Sequence, residues 1–464
     1  MLFSSLEFIY LFLPLTLFLY FLSPWRVKNY VLLLASLVFY GIAQPSFLPL
    51  MLAVSLANYL FGLLIARARS EGAADFYMWL AVILNVGVLF SFKYFGIFIR
   101  IFNLPIDAPP LPTGISFYTF QAMSYVIDVR RKTAEIQKNP LLFTTYVTLF
   151  PQLVAGPIVR YLEIDTELKK RRHTVEVVAC GVRLFCIGLS KKLLLANSAG
   201  ECWERMARYS EEGGGTVLGA WLGVIFFAFQ IYFDFSGYSD MARGLGKIFG
   251  FEFPENFNYP YVSRSITEFW RRWHITLSSW FREYVYIPLG GNRRGKGRTY
   301  INLLITWLLT GLWHGGSLNF LLWGLYFFLL LAAEKLFLLR LLERIPSIFR
   351  HFYALVFILF GWLIFASDGT LTLSGALSYF GQMLGVGAPL LNNDALFELR
   401  RNIVFLAIMT VAATPLAKVA ARRFLSAYPT AARVCVNALA LVSLVISTAY
   451  LTDGSYNPFL YFRF

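Results

Sequence analysis

Residues 310–316 read Thr310-Gly311-Leu312-Trp313-His314-Gly315-Gly316, and the stretch around them, 301–333, holds no Asp, Glu, Lys or Arg. Basic residues crowd both flanks: Arg293, Arg294, Lys296 and Arg298 before it, then Lys335, Arg340, Arg344 and Arg350 after it. Loops rich in Lys and Arg stay on the cytoplasmic side of a membrane. Both ends of the stretch are therefore expected inside, and the chain must turn within the bilayer. The glycines Gly311, Gly315 and Gly316 are the expected turn, because glycine tolerates the backbone angles that a turn needs. His314 lies 14 residues beyond Tyr300. At helical rise that is about 20 Å into a hydrocarbon core about 30 Å thick. An imidazole at that depth is costly unless it lines a cavity or has a partner, so His314 is a candidate functional residue. A structural histidine bonded to a backbone carbonyl is the alternative.

Composition agrees with a polytopic membrane protein. Of 464 residues, 58% are hydrophobic and only 14% charged. The net charge of +15 is concentrated in loops. It reads as membrane orientation and contact with anionic lipid, with no nucleic-acid partner. Cys180, Cys186, Cys202 and Cys435 form no CxxC pair, and His173, His274, His314 and His351 form no HExxH pattern. No metal site and no disulfide is expected. Residues 1–24 lack the basic start and small-residue cleavage site of a cleaved signal.

Apolar runs at 7–24, 30–44, 47–66, 77–99 and 113–129 read as spans, with Arg26, Lys28, Arg67, Arg69, Arg130 and Arg131 in cytoplasmic loops. The run 140–159 breaks the alternation and contains Pro151, Gly156 and Pro157, which suits a re-entrant segment. Further spans are expected at 174–197, 215–236, 351–367, 403–420 and 434–451. The acidic residues Glu201, Glu204, Glu211 and Glu212 form an external exit loop after the first of these. The stretch 371–391 is expected as a helix along the outer surface. The whole is taken as a single domain over 1–464, with its motifs in 113–333 and C-terminal helices in 351–464.

Between spans lies a polar region, 238–300. Within it, residues 265–284 predict one amphipathic helix opened by the capping box Ser265-x-x-Glu268. Phe269, Trp270, Trp273, Leu277, Trp280 and Phe281 fall on a stripe roughly 120° wide. His274 lies about 20° beyond its edge, at the membrane surface or a cavity mouth. Arg264, Arg271, Arg272, Arg293 and Arg294 surround the helix, and Gly290, Gly291, Gly295 and Gly297 interleave with the last of them. Basic side chains beside a glycine-rich loop can hold phosphates, although cytoplasmic retention explains the same charges. Asp234 and Asp240 end the preceding span, as ordinary salt-bridged carboxylates or as partners of the helix arginines.

These residues carry a family resemblance. YFDFSGYSDM (232–241), ENFNYPY (255–261), SITEFWRRWHITL (265–277), GGNR (290–293) and GLWHG (311–315) occur in that order, with PTGISFY (112–118), FPQLVAGP (150–157) and YNPFLYF (456–462) around them. Together they resemble the membrane-bound O-acyltransferase family, and within it the bacterial alginate O-acetyltransferase branch. The apolar runs above already sum to an all-α polytopic fold of about ten spans plus re-entrant segments, expected around a membrane-embedded funnel. The resemblance implies His314 as the essential catalytic residue and His274 as the second characteristic one. Arg264, Arg271, Arg272, Trp273, Arg293 and Arg294 are then expected at the donor. The donor is expected to be acetyl-CoA, a substrate and not a bound cofactor. The resemblance implies a polysaccharide acceptor outside a bacterial inner membrane, and an extracytoplasmic partner acetyltransferase is expected because no large external domain in the sequence could hold a polymer. Two other readings remain: acyl transfer such as D-alanylation from a carrier-protein thioester, and a transporter using His314 as a proton relay.

Overall fold

The computed structural model of the protein describes residues 1–103, 105–154, 156–367, 371–453, 456–458 and 460. Every regular element among them is helical. Contacts gather the chain into two compact units. The first is Met1–Leu189 with Tyr238–Pro254 and Leu451–Asp453; the second is Ser190–Gly237 with Glu255–Tyr450 and Gly454–Phe464.

Among the described residues six helices are long and apolar enough to cross a membrane: Trp25–Ala43, Pro45–Ala66, Glu71–Ile99, Val217–Ile248, Ser347–Ala366 and Pro429–Thr452. A seventh span arises if Asn393–Ala412 and Leu416–Ala427, bent by 65° at their break, count together. The larger number expected from hydropathy includes shorter helices such as Phe8–Leu22 and Ile115–Arg130. The chain is an all-α polytopic membrane protein.

In the first unit, nearly every residue of Ile115–Arg130 is buried, so this helix runs through the interior instead of facing lipid. Its polar side chains, among them Thr119, Gln121 and Ser124, suit protein neighbours. Leu48–Ala66 packs on it through Gly62, where a Cβ would lie 2.7 Å from the Tyr125 ring. Asn58 and Asn85 exchange amide hydrogen bonds of 3.1 and 2.7 Å between neighbouring helices. Such pairs contribute about 0.6 kcal/mol on average in a membrane. The interruption expected in 140–159 is present as two short helices, Pro140–Thr148 and Phe150–Leu153, separated by the non-helical Leu149.

Several boundaries differ from the sequence reading. Val175–Ser190 continues through a π-helical turn, Lys191–Ala196, into Asn197–Glu211. Glu201, Glu204 and Glu211 therefore sit on a helix and not in a loop. Val217–Ile248 likewise overruns the expected end, so Asp234 and Asp240 lie within it. Leu373–Met383 has 11 residues. That is about 16 Å of helix, too short to cross. Of the terminal motif 456–462, only 456–458 and 460 fall within the described residues.

Candidate functional site

His314 is the last residue of helix Lys296–His314, which forms a hairpin with Leu318–Ala333. The two backbones come unusually close. A Cβ on Gly311 would lie 2.3 Å from the Phe320 carbonyl oxygen, and one on Gly324 would lie 2.5 Å from that of Trp307. Gly311 is thus a packing glycine inside the helix and not part of the turn. Gly315, which does turn, has φ of 178°. That is extended backbone open to any residue; what excludes a side chain is the Phe320 ring, 2.3 Å from the Cβ position. His314 is buried among aromatic rings. Trp323 and Phe365 meet it edge-on at 5.1 and 5.2 Å.

The single helix expected over 265–284 is broken. Ile266–Trp270 ends at a turn, Ile275–Phe281 follows, and Arg282–Tyr286 adds a π-helical turn. The break centres on His274, which takes left-handed angles, φ 43° and ψ 55°. Non-glycine residues adopt these seldom and only where surroundings enforce them. Here the enforcement is visible. The Ile275 N–H donates to the Asn256 carbonyl at 3.0 Å, and the Asn258 N–H donates to the Arg272 carbonyl at 2.9 Å. The 256–258 stretch thus pairs with both sides of the kink. His274 is 1% exposed, not at a membrane-surface edge as the unbroken helix implies. Its Nδ1 lies 3.0 Å from Asn256 Oδ1, and Phe235 packs edge-on at 4.7 Å. Burial pushes its pKa down to about 3, so the ring is neutral.

The start of this segment is fixed by two caps. Ser265 Oγ accepts from the Glu268 N–H at 3.0 Å, the first half of the expected box, while the Glu268 carboxylate takes the Arg264 N–H at 2.9 Å. The buried Glu334 carboxylate accepts from the Ile266 and Thr267 N–H groups at 2.7 and 2.8 Å. An anion suits the free amides of a helix start. In sequence Glu334 looks like an ordinary flanking charge.

Both histidines line one cavity of ≈ 240 Å³, walled by Trp270, Trp273 and Trp307. Trp313 bridges the two rings, 5.8 Å from His274 and 5.0 Å from His314 between centroids. Of the expected donor residues, Trp273 is in the wall and Arg271 at the exposed rim. The others lie elsewhere. Arg272 pairs with Glu268 at 2.9 Å and donates to the Asn258 carbonyl. Arg264 is exposed, as are Arg293 and Arg294 on the glycine-rich loop, and none of them lines the cavity. Arg282 does line it, with Tyr286. On one unbroken helix Arg282 points away from the apolar stripe; the break and the π turn change its direction. Of the span-end carboxylates, Asp234 pairs with Lys192 at 2.7 Å and Asp240 with Arg243 at 3.6 Å.

The chain is thus a many-pass helical membrane protein with two buried histidines lining one narrow aromatic cavity. The family model described as MBOAT, membrane-bound O-acyltransferase family, matches residues 37–367, and the chain belongs to this family. It is an acyltransferase. It is 42% identical over 380 residues to the probable alginate O-acetylase AlgI of Azotobacter vinelandii, covering 79% of this chain and 75% of that one. With the protein of the same name from Pseudomonas putida it shares 38% identity over the full length of both. With the peptidoglycan O-acetyltransferase of Helicobacter pylori it shares 33%, covering 83% of this chain and 80% of that one.

Proposed function

We propose that this acyltransferase takes an acetyl group from cytoplasmic acetyl-CoA and delivers it across a bacterial inner membrane. The acetyl group serves O-acetylation of an exopolysaccharide such as alginate, through an extracytoplasmic partner transferase. The similarity to alginate O-acetylases and a peptidoglycan O-acetyltransferase supports acetyl transfer to an envelope polymer. The observation that carries the reading is the shared cavity of His274 and His314, with Arg271 and Arg282 at its rim. Its ≈ 240 Å³ is below the about 300–1,000 Å³ of ordinary ligand pockets. A slender thioester arm suits that volume, and a nucleotide would stay outside against the arginines, whose forks suit phosphate.

His314 serves as general base. An acceptor hydroxyl gives its proton to the imidazole as its oxygen attacks the thioester carbonyl carbon. The carbon–sulfur bond then breaks, and the CoA thiolate takes the proton back from the imidazolium. One thioester is consumed, one ester forms, and His314 ends neutral. A positioned base of this kind contributes about 10²–10⁴-fold.

The test is CoA release from radiolabelled acetyl-CoA by the purified protein in lipid nanodiscs, with membrane extract supplying acceptors. His314→Ala is expected to lower release at least about 100-fold. No release by the wild type would remove acetyl-CoA as donor and bring the carrier-protein thioester forward.

A further inference from the structure

We propose that Asn256 is a positioning residue that holds His274 in one tautomer, with the proton on Nδ1 and the lone pair on Nε2. Side-chain amides are usually ambiguous between oxygen and nitrogen. At Asn256 the backbone removes the ambiguity. The atom facing His274 Nδ1 also faces the Thr276 N–H at 3.2 Å and Thr276 Oγ1 at 3.0 Å. A backbone N–H can only donate, so that atom is the oxygen. An amide oxygen can only accept, so Nδ1, 3.0 Å away, carries a proton. In the neutral ring the second nitrogen then has none.

The same residue sets the ring's place as well as its proton. Its carbonyl takes the Ile275 N–H, and its side chain takes the Thr276 N–H. Asn256 therefore grips the two residues that follow His274, as well as the ring itself. It is 1% exposed and lies eighteen residues before the histidine it orients. Nothing in the proposed chemistry otherwise employs it.

The consequence rests on reading the cavity as the acyl-transfer site. At Nε2 a neutral His274 of this tautomer can act only as a hydrogen-bond acceptor, which suits a hydroxyl or an amide N–H of the donor's arm. It cannot donate from Nε2 to a developing oxyanion, so that charge must be met by other donors.

The chain has four histidines, which makes ¹⁵N-histidine NMR of the labelled protein in bilayers tractable. The His274 signal is identified by its loss in His274→Gln. At pH 7 it is expected to show a protonated Nδ1 and an unprotonated Nε2. Asn256→Ala is expected to abolish that preference and lower the maximal rate of CoA release at least tenfold, with little change in KM for acetyl-CoA. Asn256→Asp keeps the acceptor and adds charge, so it also serves where the alanine variant does not fold. It should keep Nδ1 protonated and move the acid limb of the pH–rate profile upward by at least one unit. A wild-type signal with Nε2 protonated overturns the proposal, as does a tautomer unmoved by Asn256→Ala or a pH profile unmoved by Asn256→Asp. A wild type that shows the expected tautomer but releases no CoA upholds the positioning and removes the acyl-transfer reading instead.

Discussion

At the scale of single residues, the site depends on buried charges that neighbours must satisfy. Glu334 is 1% exposed and accepts from the Ile266 and Thr267 N–H groups, the Thr267 hydroxyl at 2.6 Å and the Tyr353 hydroxyl at 3.2 Å. Glu334→Gln points an amide N–H at groups that are themselves donors. Each stranded donor costs about 1–3 kcal/mol. We expect a lower unfolding temperature in detergent and loss of CoA release, because Glu334 seats the helix that leads to His274; unchanged melting would remove the cap from the account. Lys192 and Asp234 form a second dependence, 2.7 Å apart and both almost wholly buried. Breaking such a pair from one side costs about 3–5 kcal/mol, whereas replacing both partners by apolar groups is often neutral. Lys192→Met should therefore destabilise strongly, and Lys192→Met with Asp234→Leu should recover most of the loss in a double-mutant cycle. His274 adds a pH dependence. Its folded pKa, about 3, lies below the ordinary 6.5. The unfolded chain therefore binds the extra proton, and stability present above pH 6.5 falls as the pH drops toward 3. At pH 5 the loss is about 2 kcal/mol, at about 1.4 kcal/mol per unit. Melting measured between pH 7 and 5 should show this slope, and His274→Gln should flatten it.

Among elements, the hairpin of Lys296–His314 and Leu318–Ala333 is the most sharply constrained. At Gly311 and Gly324 the obstructing atoms are backbone carbonyls, which cannot swing aside. Gly311→Ala and Gly324→Ala must push the helices apart, at about 1–3 kcal/mol or more for overpacking. His314 closes the same helix one turn beyond Gly311, so CoA release should fall with stability. Gly297→Ala in that helix is the control, since nothing lies within 4 Å of its Cβ position. There alanine should stabilise by about 0.5–1 kcal/mol. If melting and activity show Gly311→Ala to be as harmless as Gly297→Ala, the close approach is wrong. The hairpin was legible from its uncharged run and central glycines, but the job of Gly311 was not, because a packing glycine and a turning glycine look alike in one dimension. The segment 265–284 failed for a related reason. Two short amphipathic helices in succession leave a sequence pattern close to that of one, and the contact at their break, Asn256 to His274, is nonlocal. Local chemistry did reveal the Ser265 cap, since its partner lies only three residues away. The arginines were least legible, because cytoplasmic retention and ligand binding select the same side chain.

For the molecule as a whole, orientation follows from charge. Loops rich in Lys and Arg are held on one side of a membrane, so within the second unit the basic clusters at 293–298 and 340–350 are expected to share a side. Under the proposed function that side is the cytoplasm, where a CoA thioester is available. The hairpin makes the strongest demand. Its first helix, of 19 residues, is about 28 Å long. Its return through Leu318–Ala333 brings the chain back along that path, so residues 297 and 340 must share a face, while His314 stands at the far end. Single cysteines at 297, 340 and 213 on a background lacking Cys180, Cys186, Cys202 and Cys435 test this with an impermeant maleimide on right-side-out and inverted vesicles. Positions 297 and 340 should label only in inverted vesicles, and 213, beyond the acidic helix Asn197–Glu211, only in right-side-out ones. Opposite labelling of 297 and 340 would break the hairpin and separate His314 from the cytoplasmic approach that the rim arginines Arg271 and Arg282 serve. Matching labels keep a short, one-sided path from the basic face to the buried imidazoles. Under the proposed function the acceptor then reaches His314 without using that path.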